Sequence, residues 1–179
     1  VRHKLDHLAK LGVTTIELMP IAEFPGQRNW GYDGVLLFAP DAVYGPPDTL
    51  KRLVDAAHER GLMVMLDVVY NHFGPDGNYL HAYAKPFFDD SRHTPWGAAI
   101  AMGLRTVRDF FIHNALYWLN EYRFDGLRFD AVDQITDAGE QHFLEELALT
   151  IRRTVEADRQ IHLVLENDHN TARYLERDG

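Results

Sequence analysis

The sequence predicts an α/β fold of the (β/α)8 TIM-barrel type, present as a partial barrel of about four strand-helix units. Three observations carry that reading. Helical and strand-like patterns alternate, the connections after strands are long while those after helices are short, and three apolar runs each end on a carboxylate. The runs are LMVMLDVVYNH with Asp67, FDGLRFDAV with Asp130 and IHLVLEN with Glu166. Runs so rich in Val, Leu, Ile, Met and Phe suit strands covered on both faces, where an ionisable group is costly to bury. Carboxylates in such places point to chemistry at one end of a parallel sheet.

The elements follow in order. Leu5, Leu8 and Ala9 share a helical face, Gly12 suits a left-handed stop, and VTTIELMP reads as a strand. Asp48 is placed to cap a helix bearing Leu50, Leu53, Val54 and Ala57, with His58 and Arg60 near its negative end and Gly61 just beyond. LMVMLDVVY is the next strand. Val107, Phe110, Phe111, Asn114, Trp118 and Tyr122 mark a third helical stripe, followed by FDGLRFDAV. In the fourth helix Asp137 is the expected cap, Glu140 stands three residues on, and Phe143, Leu144, Leu147, Ile151 and Val155 face inward before IHLVLEN.

Right-handed crossovers between such units allow a doubly wound sheet or a barrel. The connections from Ile21 to Pro47 and from Asn71 to Leu104 favour the barrel, because they follow strands and exceed the roughly 12 to 15 residues beyond which loops are usually functional. A complete barrel needs about 250 residues and eight strands. Residues 1–179 are therefore expected to be the central part of a barrel domain with no internal boundary, and the start at Val1, inside an amphipathic pattern, suggests a piece of something longer. A small doubly wound domain is the alternative; the sequence carries neither G-x-G-x-x-G nor G-x-x-x-x-G-K-[ST], which weakens its nucleotide-binding versions.

With 46% hydrophobic residues the chain can build a core. Its net charge of -9 disfavours a nucleic-acid partner, which needs basic stripes, and a neutral or cationic small molecule fits better. There is no cysteine, hence no disulfide and no thiolate metal site. No stretch reads as a signal peptide or membrane span, so no membrane partner is expected and a cytoplasmic location is.

Asp130 and Glu166 fall at corresponding ends of neighbouring predicted strands, about 4.8 Å apart. Their carboxylates could approach the roughly 5 to 5.5 Å separation at which one attacks a sugar carbon and the other protonates the leaving oxygen. Arg128, two residues before Asp130, points to the same face and would favour the ionised Asp130, while burial after the apolar LVL would raise Glu166. A structural Arg128–Asp130 ion pair beside a solvated Glu166 fits the spacing equally well.

DVVYNH (Asp67 to His72), GLRFDAV (Gly126 to Val132) and the glutamate of LVLEN resemble, in order and strand placement, the first three signature regions of the α-amylase superfamily of glycoside hydrolases and transglycosidases. NWGYDGVLLFAPDAVYG, VVYNHFGPDGNYL, HTPWG and HLVLENDHN look most like the members that release trehalose from the end of a maltooligosyltrehalose, and this likeness spans nearly the whole chain. The resemblance implies an α-glucan substrate of that kind, no cofactor, Asp130 as nucleophile, Glu166 as general acid/base and Arg128 as the group orienting Asp130. It also implies that His72 hydrogen-bonds the sugar at the cleaved position, that Tyr32 stacks on it, and that Asp67 and Asn71 support the strand-end network from behind. Related amylases bind calcium through the residue matching Asn71, but the resemblance is to calcium-independent members, so no metal is expected. Glycogen branching enzymes and α-amylases of the same superfamily are the enzyme alternatives, and a non-catalytic glucan-binding fragment is the alternative of another class.

Trp30, Tyr32, Phe73, Tyr79, Tyr83, Phe87, Phe88 and Trp96 populate the long loops. Each is expected to anchor its loop in a small apolar core, except Trp96, which Pro95 helps to present as a sugar-stacking ring. His81, His93, His113, His142, His162, His169 and the stretch Asp168 to Asn170 form no H-x-x-x-H or H-E-x-x-H pair. Three departures from the superfamily stand out. The fourth signature region, a late strand with a His-Asp pair, is absent, so this segment alone is expected to be inactive. Asp133 occupies a place where a His is expected, which bears on the leaving-group side. AAIAMGLRTV is shorter than the related loop.

Overall fold

The computed structural model describes residues 1–137, 139–169 and 174. Helix α1 (Leu5–Leu11) ends on Gly12, whose N–H donates to the Ala9 carbonyl and whose left-handed φ of 89° turns the following chain out of the helix, and β1 (Thr15–Leu18) follows. The next connection contains the antiparallel pair β2 (Ala22–Glu23) and β3 (Leu36–Pro40) and leads into α2 (Pro47–His58). After β4 (Met63–Val68) comes the second long connection, with the single turn α3 (Leu80–Tyr83) and a hairpin of β5 (Phe88–Thr94) and β6 (Gly97–Ile100). Then α4 (Arg105–Glu121), β7 (Gly126–Phe129), α5 (Phe143–Thr154) and β8 (His162–Leu165) alternate as the pattern predicts.

Strands β1, β4, β7 and β8 form one parallel sheet in that order. Consecutive strands as neighbours, joined by right-handed crossovers, keep all the helices on one face; a doubly wound sheet must instead reverse its order. The sheet is thus the barrel alternative, four strands wide. The ladders are shorter than the apolar runs that predicted them, because Leu62, Val69, Tyr70, Phe124 and Val132 are buried beyond the strand ends without belonging to a strand.

Alternation along the strands sorts the side chains. Val64, Leu66, Val68, Leu127 and Phe129 join the core beneath the helices, with Ile16, Leu18, Leu163 and Leu165 packed against it. The opposite face carries Glu17, Asp67, Arg128 and Val164 instead, and in β8 it is open enough that Val164 is 44% exposed. Helix α4 supplies Val107, Phe111, Ile112, Ala115, Trp118 and Leu119 to the core. Asn114 on the same stripe is fully buried yet satisfied, accepting from the Tyr70 hydroxyl at 2.7 Å and donating to the Leu37 carbonyl at 2.8 Å.

Two expected caps are corrected. Helix α2 starts at Pro47 after Pro46, which leaves Asp48 inside the first turn, where its charge still meets the positive helix end. Helix α5 starts only at Phe143, and His142 is its cap, accepting from Leu144 N–H. Asp137 nevertheless serves the helix from a distance. Its Oδ2 accepts from Phe143 N–H at 2.7 Å and from Arg108 at 2.5 Å, and its Oδ1 accepts from Gly139 N–H at 2.9 Å. Arg108 also reaches Glu146 and the carbonyls of Met102 and Gln141, so one buried guanidinium ties the loop after β7 to α4 and α5. Among the described residues no helix is long and apolar enough to cross a membrane.

Candidate active site at the carboxyl ends of the strands

Asp67 is the penultimate residue of β4, whereas Asp130 and Glu166 directly follow β7 and β8. Asp67 and Arg128 are register partners, as are Phe129 and Leu165, so three acids and one base meet along one sheet end. Arg128 Nη1 donates to Asp67 Oδ2 at 2.8 Å and to Asp130 Oδ1 at 3.0 Å, and its Nη2 lies 3.8 Å from Glu166 Oε2. Burial by itself would lower the Arg128 pKa, but Asp67 and Asp130 more than offset it and hold the guanidinium firmly charged.

Asp67 is the most deeply placed of the three acids, 3% exposed. Burial raises its carboxyl above the ordinary value despite the bonds from Arg128 and the Tyr32 hydroxyl, the latter 2.8 Å long. Its Oδ1 is buried without a hydrogen-bond partner among the described residues. Burial, reinforced by the bond to Asp67, pushes the Tyr32 hydroxyl up to about 12. Tyr32 is brought here by two glycines. Gly31 has φ of 101° and a Cβ there would lie 1.9 Å from the Pro20 carbonyl oxygen; one on Gly74 would lie 2.1 Å from that of Asp33.

Asn71 Nδ2 reaches Asp130 Oδ2 at 3.4 Å, while its Oδ1 meets His72 Nδ1. His72 Nε2 is 2.9 Å from the Tyr32 carbonyl oxygen, so both ring nitrogens face acceptor oxygens within the chain; the neutral ring has one N–H and donates to only one of them, which a sugar hydroxyl would have to share. Burial lowers the His72 pKa. The imidazole also stacks on Trp96, with centroids 4.3 Å apart and planes within 9°, and Trp96 sits at the tip of the β5–β6 hairpin, 48% exposed. Beside this stack opens a cleft of about 490 Å³ lined by His72, Phe73, Asn78, His81, Lys85 and Trp96.

The other loop aromatics divide. Phe73, Phe87 and Phe88 interlock with Phe110 and Phe111 as the anchoring expectation has it. Trp30, Tyr79 and Tyr83 do not; they are 80%, 68% and 76% exposed. Nor is Glu166 buried as the apolar run before it suggests: its side chain is 40% exposed, because the run's inward side lies on the open face of β8.

Sequence reasoning missed two features. Ala131, next to Asp130, adopts a left-handed conformation with φ of 42° and ψ of 55°, and its N–H donates to Glu166 Oε2 at 2.7 Å. An alanine gives no sequence signal for that geometry. Asp133, Asp168 and His169 each bring a potential metal donor within 4.8 Å of the others, a grouping that the separation of β7 and β8 in sequence concealed; Asn170 of the same stretch lies outside the described residues.

A consecutive parallel β/α sheet with acids gathered at its carboxyl edge defines a partial barrel of the kind that builds sites from strand ends. The chain matches the alpha-amylase catalytic domain family over residues 1–114 and belongs to that family. Among curated relatives, it is 50% identical over 93% of its length to a malto-oligosyltrehalose trehalohydrolase of Deinococcus radiodurans. It is 48% identical over 84% of its length to one of Saccharolobus solfataricus. The chain spans 27% of each of those proteins. A crystal structure of a Geobacillus thermoleovorans alpha-amylase complexed with acarbose superposes on 97% of the chain with a TM-score of 0.83 at 27% identity, this chain covering 41% of it.

Proposed function

We propose that the protein containing this chain is a retaining glycoside hydrolase that cleaves the α-1,4-glucosidic bond next to the terminal trehalose of a maltooligosyltrehalose and releases trehalose. The observation that carries the reaction type is the sharing of one guanidinium by Asp67, Asp130 and Glu166 at adjacent strand ends. The names of the curated relatives support the choice of substrate. In this reading residues 1–179 are the central part of the catalytic barrel domain.

Asp130 attacks the anomeric carbon while Glu166 passes a proton to the glycosidic oxygen, so the bond to the departing trehalose breaks as the glycosyl ester on Asp130 forms. Glu166 then takes a proton from water, the water oxygen attacks the same carbon, and Asp130 is freed. Arg128 orients the attacking carboxylate. Tyr32, His72 and Trp96 line the place of the sugar, and Asp67 and Asn71 support the network behind it.

The test is trehalose release from maltooligosyltrehalose by the full-length protein, with maltoheptaose in parallel. Trehalose from the first and little cleavage of the second is the expected result; chain transfer or general cleavage of maltoheptaose would move the protein to a branching or amylase role. Asp130→Asn is expected to lower turnover at least about 10³-fold while glucan binding persists. Normal turnover in that variant would remove Asp130 as the nucleophile.

A further inference from the structure

Left-handed backbone at a residue with a side chain is costly, and it persists only where the surroundings impose it. Among the described non-glycine residues only Arg123 and Ala131 have positive φ. Ala131 stands between Asp130 and the buried Val132, and the turn it makes has a definite result. Glu166 N–H donates to the Phe129 carbonyl at 3.0 Å, continuing the β7–β8 ladder, and Val132 N–H donates back to the Glu166 carbonyl at 3.0 Å. Between these two bonds the left-handed Ala131 turns its own N–H onto the Glu166 side chain, 2.7 Å from Oε2. The end of β7 and the residues after it therefore grip Glu166 by its amide, its carbonyl and one carboxyl oxygen.

That grip makes the two carboxyl oxygens unequal. Oε2 faces the Ala131 N–H and, at 3.8 Å, the Arg128 guanidinium. Neither donor tolerates a proton on the oxygen it faces. Oε1 accepts no hydrogen bond among the described residues, on a side chain 40% exposed. We propose that Ala131 is a positioning residue for the proton donor: its backbone N–H reserves Oε2 as an acceptor, so that Oε1 carries the proton to the leaving oxygen and later receives one from water. The inference rests on Glu166 being the general acid/base. Because Ala131 directly follows Asp130, the contact also keeps proton donor and nucleophile in fixed register, one strand end against the next.

The discriminating variant removes the N–H alone: the full-length protein with Ala131 replaced by the corresponding α-hydroxy acid, so that an ester oxygen stands in place of the amide N–H. Two substrates are compared, the natural glycoside, whose leaving oxygen needs a proton, and a maltosyl fluoride, whose leaving group departs without one. The expected result is a fall of about 10- to 100-fold in kcat/KM on the glycoside, following the 10²- to 10⁴-fold worth of general acid catalysis, with kcat/KM on the fluoride within about threefold of the parent, since kcat/KM ends at formation of the glycosyl ester and leaves out the later proton transfer from water that both substrates share. Ala131→Gly, which retains the N–H and adopts positive φ freely, should keep most activity on both. Equal loss on both substrates in the ester variant would mean that the contact holds the nucleophile or the fold and would overturn the proposal, as would no loss on either. A parent protein that cleaves neither substrate would overturn the glycosidase reading itself, which separates the two failures.

Discussion

A guanidinium shared by three carboxylates makes Arg128 the residue on which the others depend. Its removal would leave the buried Asp67 with the Tyr32 hydroxyl as its one remaining donor among the described residues. Arg128→Met is therefore expected to destabilise the full-length protein by about 3 kcal/mol, the range for stranding one partner of a buried pair, and to lower the midpoint of urea unfolding. An unchanged midpoint would show that Asp67 finds another partner. Tyr32→Phe removes one bond to the same carboxylate and should cost less, about 1 to 2 kcal/mol. Part of this network was legible in the sequence. A spacing of two residues put Arg128 and Asp130 on one face, and apolar runs ending on acids marked Asp67, Asp130 and Glu166. What stayed hidden depends on where the backbone turns: the partners of both His72 nitrogens, the Trp96 ring lying on His72, and the Ala131 amide aimed at Glu166 all arise from loop geometry.

At the scale of elements, the start of α5 shows how a cap can come from outside the helix. Capping patterns place Asp137 at the helix end, yet α5 starts only at Phe143, and the Asp137 side chain reaches that residue's N–H through space. Burial would raise the Asp137 carboxyl, but the Gly139 N–H, Arg108 and the Phe143 N–H outweigh it and hold the carboxyl below its ordinary value. A carboxylate depressed in the folded state adds stability above its unfolded pKa, near 4, and that stability is lost as the pH falls through the lower folded value. Asp137→Asn should thus be less stable than the parent at pH 7, by about 2 to 4 kcal/mol, with the gap shrinking toward pH 3. Urea unfolding at both pH values checks this, and a gap independent of pH would assign the effect to shape instead of charge. Helices and strands themselves were readable from periodicity because their cores are apolar; the long connections were not, since β2 has two residues and β5, FDDSRHT, is polar along most of its length.

For the whole molecule, the order of the four parallel strands decides the architecture, and it leaves β1 and β8 as the outer strands of the sheet among the described residues. Unpaired strand edges template further pairing. Residues 1–179 expressed alone are expected to self-associate at micromolar concentration, where the full-length protein is not; a sharp monomer in sedimentation velocity would show that these edges are protected. The same order has a consequence for assembly during synthesis. Each new strand docks on the one made just before it, so contacts form between near neighbours in time. The Asp67 carboxylate, however, leaves the ribosome 61 residues ahead of the arginine that neutralises it. Until β7 arrives, the β1–β4 unit carries an acid that it cannot bury as an ion. The end of the sheet can therefore close over an ionised Asp67 only once Arg128 has joined it.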